Sequence, residues 1–100
     1  MTYKVYHTSR FRKDIKKAKK QHRNIELLFA IIDQLMRGET LASQYHAHPL
    51  QGEYKGYWDC HVNGDWVLIY RYDNMDHYLE LVRIGSHAEL FGWRRQLIRT

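Results

Sequence analysis

Tyr57-Trp58-Asp59-Cys60-His61-Val62-Asn63-Gly64-Asp65-Trp66-Val67-Leu68-Ile69-Tyr70 is the stretch that decides the fold. Its first half alternates in character, its second half is a nearly continuous apolar run, and Asn63-Gly64 between them tolerates positive φ. This reads as two antiparallel strands, Tyr54 to Val62 and Trp66 to Tyr72, joined by a tight turn. A second turn, Asp73-Asn74-Met75-Asp76, leads into a third strand from Tyr78 to Ile84. Alternation places Tyr57, Asp59 and His61 on one face and Trp58, Cys60 and Val62 on the other, as core. A strict two-residue turn at Asn63-Gly64 pairs Val62 with Asp65 and sends Asp65 toward the core side. Simple alternation also puts Arg83 on the face of Leu79 and Leu81.

Upstream the period changes. Thr8 or Ser9 can cap a helix in which Phe11, Ile15, Ala18 and His22 form an apolar-leaning stripe. Asn24 can cap a second helix carrying Ile25, Leu28, Phe29, Ile32, Leu35 and Met36 on a core-facing stripe, with Gly38 suited to the C′ position. Residues 2–7 alternate as a first strand, and residues 39–52 lack periodicity and read as a loop. Downstream, Gly85-Ser86 ends the third strand of the meander, and Ser86 can cap a short helix with His87, Leu90 and Phe91. The expected order is βααβββα in one α+β domain spanning residues 1–100. A helical hairpin packs on one face of a small, mainly antiparallel sheet and leaves the other face free.

Charge is concentrated in the first helix. The chain has 16 Lys plus Arg against 11 Asp plus Glu, a net charge of +5 with neutral histidines. Arg10, Arg12, Lys13, Lys16, Lys17, Lys19, Lys20 and Arg23 crowd together, with Asp14 the only acid among them. Like charges at helical spacing repel, a cost that a bound polyanion would offset; the alternative is an ordinary solvated face. The single Cys60 cannot form an internal disulfide, which fits a reducing cytoplasm. No apolar run is long enough for a membrane span and the N-terminus lacks a signal-peptide pattern, so no membrane partner is expected.

The second half gathers proton-transfer groups: His48, Asp59, His61, Asp65 and His87, with Arg83 as a fixed cation. Metal-free RNA cleavage needs a base for the 2′-hydroxyl, an acid for the leaving 5′-oxygen and a cation for the phosphorane-like state. Histidine suits both proton roles because its ordinary pKa is about 6.5, and the planar guanidinium of arginine matches phosphate oxygens. Taken singly, a histidine is more often structural or on the surface than catalytic.

The exact runs say more than the inventory. His48-Pro49-Leu50-x-Gly52, Gly56-Tyr57-x-Asp59-x-His61, Asp65-Trp66-x-Leu68-Ile69-Tyr70 and Arg83-x-Gly85-x-His87-x-x-Leu90-Phe91 occur in that order. Together they resemble the YafQ-type branch of the RelE/ParE toxin superfamily, over nearly the whole chain to Phe91. The resemblance implies a RelE-like fold and a toxin of a type II toxin–antitoxin pair. It implies an endoribonuclease, an mRNA interferase that cuts the message in the ribosomal A site. The product would be a 2′,3′-cyclic phosphate, and translation would stop. Carried onto this sequence, His48, His61, Asp65 and His87 match the catalytic positions, Asp59 a supporting acid, Arg83 a phosphate-facing arginine, and Phe91 a base contact or site wall. His48 is then the base and His87 the acid, with His61, Asp65 and Arg83 positioning and stabilising charge. Base and acid can be exchanged, because coupled histidines need not titrate singly. Substrate contacts would come from Arg10, Arg12, Lys13, Lys16, Lys17, Lys19, Lys20 and Lys55. No cofactor or metal is expected. The partners would be an acidic antitoxin, partly disordered when free, together with the ribosome and mRNA. The free toxin would be a monomer and its antitoxin complex a hetero-oligomer.

The chain departs from the branch at Trp58, where a basic residue is common, and in a C-terminal extension at residues 93–100. Three other readings stay open. A zinc domain could use His46, His48, His61 and His87, although their spacing is not compact and Cys60 faces the core. A non-catalytic RNA- or antitoxin-binding module, or a ParE-like inhibitor, would keep the fold without the chemistry. A ribosome-independent RNase would use the same residues.

Overall fold

A computed structural model describes residues 2–92. Its strands are β1 (Lys4–His7), β2 (His48–Pro49), β3 (Trp58–Asn63), β4 (Trp66–Asp73) and β5 (Tyr78–Ser86), and its helices are α1 (Ser9–Lys20), α2 (Ile25–Met36) and α3 (His87–Phe91). The sheet order is β1-β5-β4-β3-β2, with β1 parallel to β5 and the other pairs antiparallel. The expected α+β order holds, with one addition. The segment read as a loop contains the two-residue strand β2, flanked by single 3₁₀ turns at Ser43–Tyr45 and Gly52–Tyr54.

The helix ends follow the capping residues. The Thr8 hydroxyl accepts from Phe11 N at 2.9 Å, and Asn24 Oδ1 accepts from Leu27 N at 3.1 Å. Gly38, at φ 73°, ends α2, where Gly38 N donates to Leu35 O and Glu39 N to Gln34 O. These two bonds form a Schellman motif. The same pattern ends α1, with His22 N bonding Lys19 O and Arg23 N bonding Ala18 O. His22 occupies the left-handed position at φ 59° and is exposed, so it is not part of the apolar stripe.

The hairpin buries Phe11, Ala18, Leu28, Ile31 and Leu35 against Cys60, Val62, Trp66, Leu68, Tyr70, Leu79, Leu81 and Ile84. Two expected core residues differ: Phe29 is 53% exposed and Trp58 39% exposed. Phe29 lies beyond the arc of α2 that meets the sheet, where Ile31 takes part instead. Trp58 lines a cleft of about 830 Å³ together with Leu41, Tyr70 and Tyr72. The opposite face is not free either. Leu50, Val67, Ile69, Leu90 and Phe91 form a second small core there, because α3 and the chain after β2 fold across it.

Two ladder irregularities move the phase of the strands. Asn63 pairs with Trp66 while His61 pairs with Val67, so Val62 is the extra residue and the tight turn is Gly64-Asp65. Asp65 therefore sits in the turn, outside strand alternation. On the other side of β4, Ile69 pairs with Arg83 and Tyr70 with Leu81, leaving Val82 as the extra residue. Leu79, Leu81 and Ile84 can then all face the helices, whereas Arg83 moves to the face of Ile69. Its guanidinium is bound by Asp14 of α1 through two hydrogen bonds of 2.9 and 3.0 Å. Asp14 also accepts from Ile84 N at 3.1 Å. This clamp fastens α1 to β5 beyond the end of β1. Replacing Asp14 with Asn should lower stability by about 2 kcal/mol, the scale of hydrogen bonds to charged groups. Urea unfolding tests this, and a midpoint unchanged from wild type would refute the clamp.

Candidate active site

The histidines converge on the sheet face opposite the hairpin. Asp59 and His61 share that face of β3, as alternation requires. β2 exists where His48 lies directly opposite Asp59 in the ladder. Asp59 is fully buried, and its Oδ1 lies 2.8 Å from His48 Nε2. A buried carboxylate needs a polar partner, and this one receives an imidazole whose ring it orients. His48 Nδ1 lies 3.1 Å from Pro49 O, so an oxygen faces each ring nitrogen.

His61 stands between two other imidazoles. Its ring centroid is 5.0 Å from that of His87 and 5.6 Å from that of His46. His87, the first residue of α3, has its Nδ1 3.9 Å from Asp65 Oδ1. The Gly64-Asp65 turn thus brings to the site an acid that alternation had sent to the core side. Phe91 is buried one turn beyond His87, with its ring between His87 and Tyr54. It is therefore a wall of the site. Beside His61 a hollow of about 320 Å³ is lined by Gln44, Tyr45, His46, Asn63 and Gly64. His46 was expected only as a ligand in the zinc reading, and not among the acid–base residues. The available signals were its spacing from His48 and its place in an aperiodic segment, where it takes a left-handed φ of 49°.

His48, Asp59 and His61 offer donor atoms lying within 4.8 Å of one another, a set that could hold a divalent cation. His87, part of the zinc reading, is not in that set. Cys60 lies under the same strand but faces the main core. Burial, helped by the Asp59 charge, pushes its thiol up to about 12, which leaves it inert at neutral pH.

Two expected substrate cations are already committed. Arg83 is held by Asp14, and that pairing raises its pKa further. Lys17 pairs with Glu89 of α3. Arg10, Arg12, Lys13, Lys16, Lys19 and Lys20 remain exposed along α1, and Lys55 is exposed after the second 3₁₀ turn. Arg23 lies over the Trp66 ring at 5.6 Å.

α3 is short, and its first turn is held by its cap. Ser86 Oγ accepts from Glu89 N at 3.1 Å, and Glu89 Oε1 accepts from Ser86 N at 2.8 Å, a complete capping box. The bond from Lys17, followed by that from Ser86 N, holds the Glu89 carboxyl below its ordinary value of 4.5. A lowered folded-state pKa stabilises above the ordinary value, and this contribution is lost as pH falls through the depressed one. Glu89→Gln should therefore melt below wild type at pH 7, with the gap closing toward pH 3. An equal gap at both pH values would show that the Glu89 charge is not involved.

A cluster of imidazoles and carboxylates on one sheet face, backed by a basic helical hairpin, defines a small α+β domain of the RelE-like class equipped for proton transfer. Residues 3–92 match the family model described as the bacterial toxin of type II toxin–antitoxin system, YafQ. The chain is 39% identical over 89 residues to the mRNA interferase toxin YafQ of Escherichia coli, covering 88% of this chain and 95% of that protein. It superposes on YafQ in the crystal structure of the E. coli DinJ–YafQ toxin–antitoxin complex with a TM-score of 0.84 and 36% identity, covering 92% of this chain and 100% of that one. A metal-bound toxin from Helicobacter pylori gives a TM-score of 0.84 at 35% identity, over 89% of this chain and 99% of that one. The chain belongs to the YafQ family of type II toxin–antitoxin toxins. The C-terminal extension at residues 93–100 lies outside the described residues.

Proposed function

We propose that this toxin is an mRNA interferase, a ribosome-dependent endoribonuclease that cleaves by acid–base catalysis without a metal. The observation that carries the reading is the convergence of His48, His61 and His87, from a short strand, a central strand and a helix start, each beside a carboxylate or another imidazole. The E. coli relative that shares this fold is named an mRNA interferase.

His48 takes the 2′-hydroxyl proton on Nδ1, in place of its contact with Pro49 O, and buried Asp59, at Nε2, stabilises the imidazolium that forms, as a triad aspartate does. The 2′-oxygen attacks phosphorus and the P–O5′ bond breaks. His87 gives its proton to the leaving 5′-oxygen, leaving a 2′,3′-cyclic phosphate and a 5′-hydroxyl. Asp65, held in the tight turn, positions His87. His61 lies between the two proton carriers and supplies N–H donors to the phosphoryl oxygens. The phosphate role expected of Arg83 passes to His61, because reaching phosphate would require Arg83 to leave Asp14. The exposed cations of α1 lie against ribosomal RNA phosphates, where affinity needs little base reading. The free toxin is a cytoplasmic monomer and is neutralised by an acidic antitoxin, as the DinJ–YafQ pairing of the relative illustrates. Among the described residues no helix is long and apolar enough to cross a membrane.

Cleavage of a defined mRNA with and without programmed ribosomes tests the reading. Wild type should cut only on ribosomes, and His87→Ala should lose at least about a hundredfold in rate, the scale of general acid catalysis. Equal cutting of naked RNA would remove the ribosome requirement, and full activity of the variant would remove His87 as the acid.

His48, Asp59 and His61 could hold a divalent cation, and one solved relative is described as metal-bound. A metal ion there would occupy the lone pairs that proton transfer uses. Zinc or copper ions should therefore inhibit cleavage, and a chelator should leave the metal-free protein fully active. Activity lost on chelation and restored by zinc would overturn the metal-free mechanism.

A further inference from the structure

The sheet face away from the hairpin carries a second cluster that the acid–base site does not use. From His87 the ring contacts pass to Phe91, then to Tyr54 at 5.8 Å and on to Tyr57 at 6.0 Å. Arg71 continues the series, its guanidinium 6.0 Å from the Tyr57 ring centroid and 5.6 Å from that of Tyr78. Strand register explains the alignment. Val67, Ile69 and Arg71 follow one another along one face of β4, with His61 opposite Val67 and Glu80 opposite Arg71. At about 3.3 Å per residue, Arg71 lies roughly 13 Å along the strand from the His61 level. A few nucleotides of extended single strand span that distance.

We infer that Tyr57, Arg71 and Tyr78 form a stacking subsite for a nucleobase of the single-stranded message flanking the cut. The inference rests on the proposed ribonuclease activity of the histidine site. Three observations carry it. All three side chains keep part of their surface in solvent. The guanidinium is fixed rather than free: Arg71 Nε donates to Glu80 at 2.7 Å, and one of its terminal nitrogens donates to the Tyr78 hydroxyl at 3.1 Å. The Glu80 carboxylate balances the Arg71 charge, so the cluster offers flat surfaces for a base and a poor clamp for phosphate. Base stacking on aromatic rings and arginine planes tolerates any sequence, because every base has a π face. That suits an enzyme that meets its message already threaded through a ribosome.

The test is single-turnover cleavage on programmed ribosomes with Tyr57→Ala, Tyr57→Phe and Tyr78→Ala, after melts confirm that each variant is folded. The messages carry an abasic nucleotide at each position flanking the cut in turn. Both alanine variants should raise the toxin concentration giving half-maximal rate about tenfold, with the maximal rate held within about twofold. Tyr57→Phe, which keeps the ring, should match wild type. One abasic position should weaken wild type by a similar factor yet leave Tyr57→Ala no weaker than it already is. Wild type that fails to cut on ribosomes defeats the underlying ribonuclease reading. Wild type that cuts, with alanine and abasic effects that simply multiply at every position, overturns the subsite alone. Alanine variants that cut normally but lose affinity for the antitoxin also overturn it, and make the cluster an antitoxin surface.

Discussion

The extra residue at Val82 is the constraint on which much of the remaining architecture depends. A strand that kept strict alternation through β5 could not turn Leu79, Leu81 and Ile84 all toward the helices. The bulge changes the phase once, between Leu81 and Arg83. Below it, β5 is a regular neighbour of β1. Above it, beyond the end of β1, Arg83 is bound by Asp14, Ile84 N gains a side-chain acceptor from α1, and the chain leaves the sheet at Ser86 in the geometry that caps α3. The position of His87 is therefore set by a ladder irregularity five residues upstream of it. Val62 does the same for Asp65 on the other side of β4. The two bulges flank one strand and deliver one acid and one imidazole to a common point.

Features governed by local chemistry could be read from the sequence, and features governed by phase could not. Thr8, Asn24, Gly38 and Ser86 act where they were expected, because a cap depends on a few neighbouring backbone groups. Asp59 and His61 share a face, since no bulge separates them. Asp65 and Arg83 were misplaced by alternation, each for the same reason: an extra residue carries no signature of its own in a period-two pattern. β2 was hidden because two residues are too few to show a period, and its formation depends on Asp59 across the ladder. Phe29 and Trp58 show the limit of hydrophobicity as a guide. Each is apolar, yet each lies where the packed partner ends. His22 shows the converse, a non-glycine residue in a left-handed cap, supplying an apparent fourth member of a stripe that stops at Ala18.

Asp59 and Cys60 occupy adjacent positions on β3 and illustrate how one strand divides its work. Both are fully buried, one on each side of the sheet. The thiol meets only the apolar core and is silenced. The carboxylate meets an imidazole and is retained at the cost of its hydration. A buried polar contact of this kind contributes little net stability against a well-packed apolar alternative. Its value here is orientation, fixing the His48 ring from the Nε2 side.

In the proposed mechanism, the arrangement of charge on α1 links substrate capture to chemistry. Asp14 and Lys17, one turn apart, both face β5 and α3, and their partners Arg83 and Glu89 flank the segment that carries His87. The two pairs cancel charge on the inner side of the helix, so the positive field arises from the outward cations alone. An RNA drawn to that outer surface meets a helix tied by two ion pairs to the start of α3. The basic helix and the start of α3, to which the proposed mechanism assigns message binding and leaving-group protonation, thus belong to one braced unit. In the proposed mechanism, loosening either pair would act on catalysis through the position of His87.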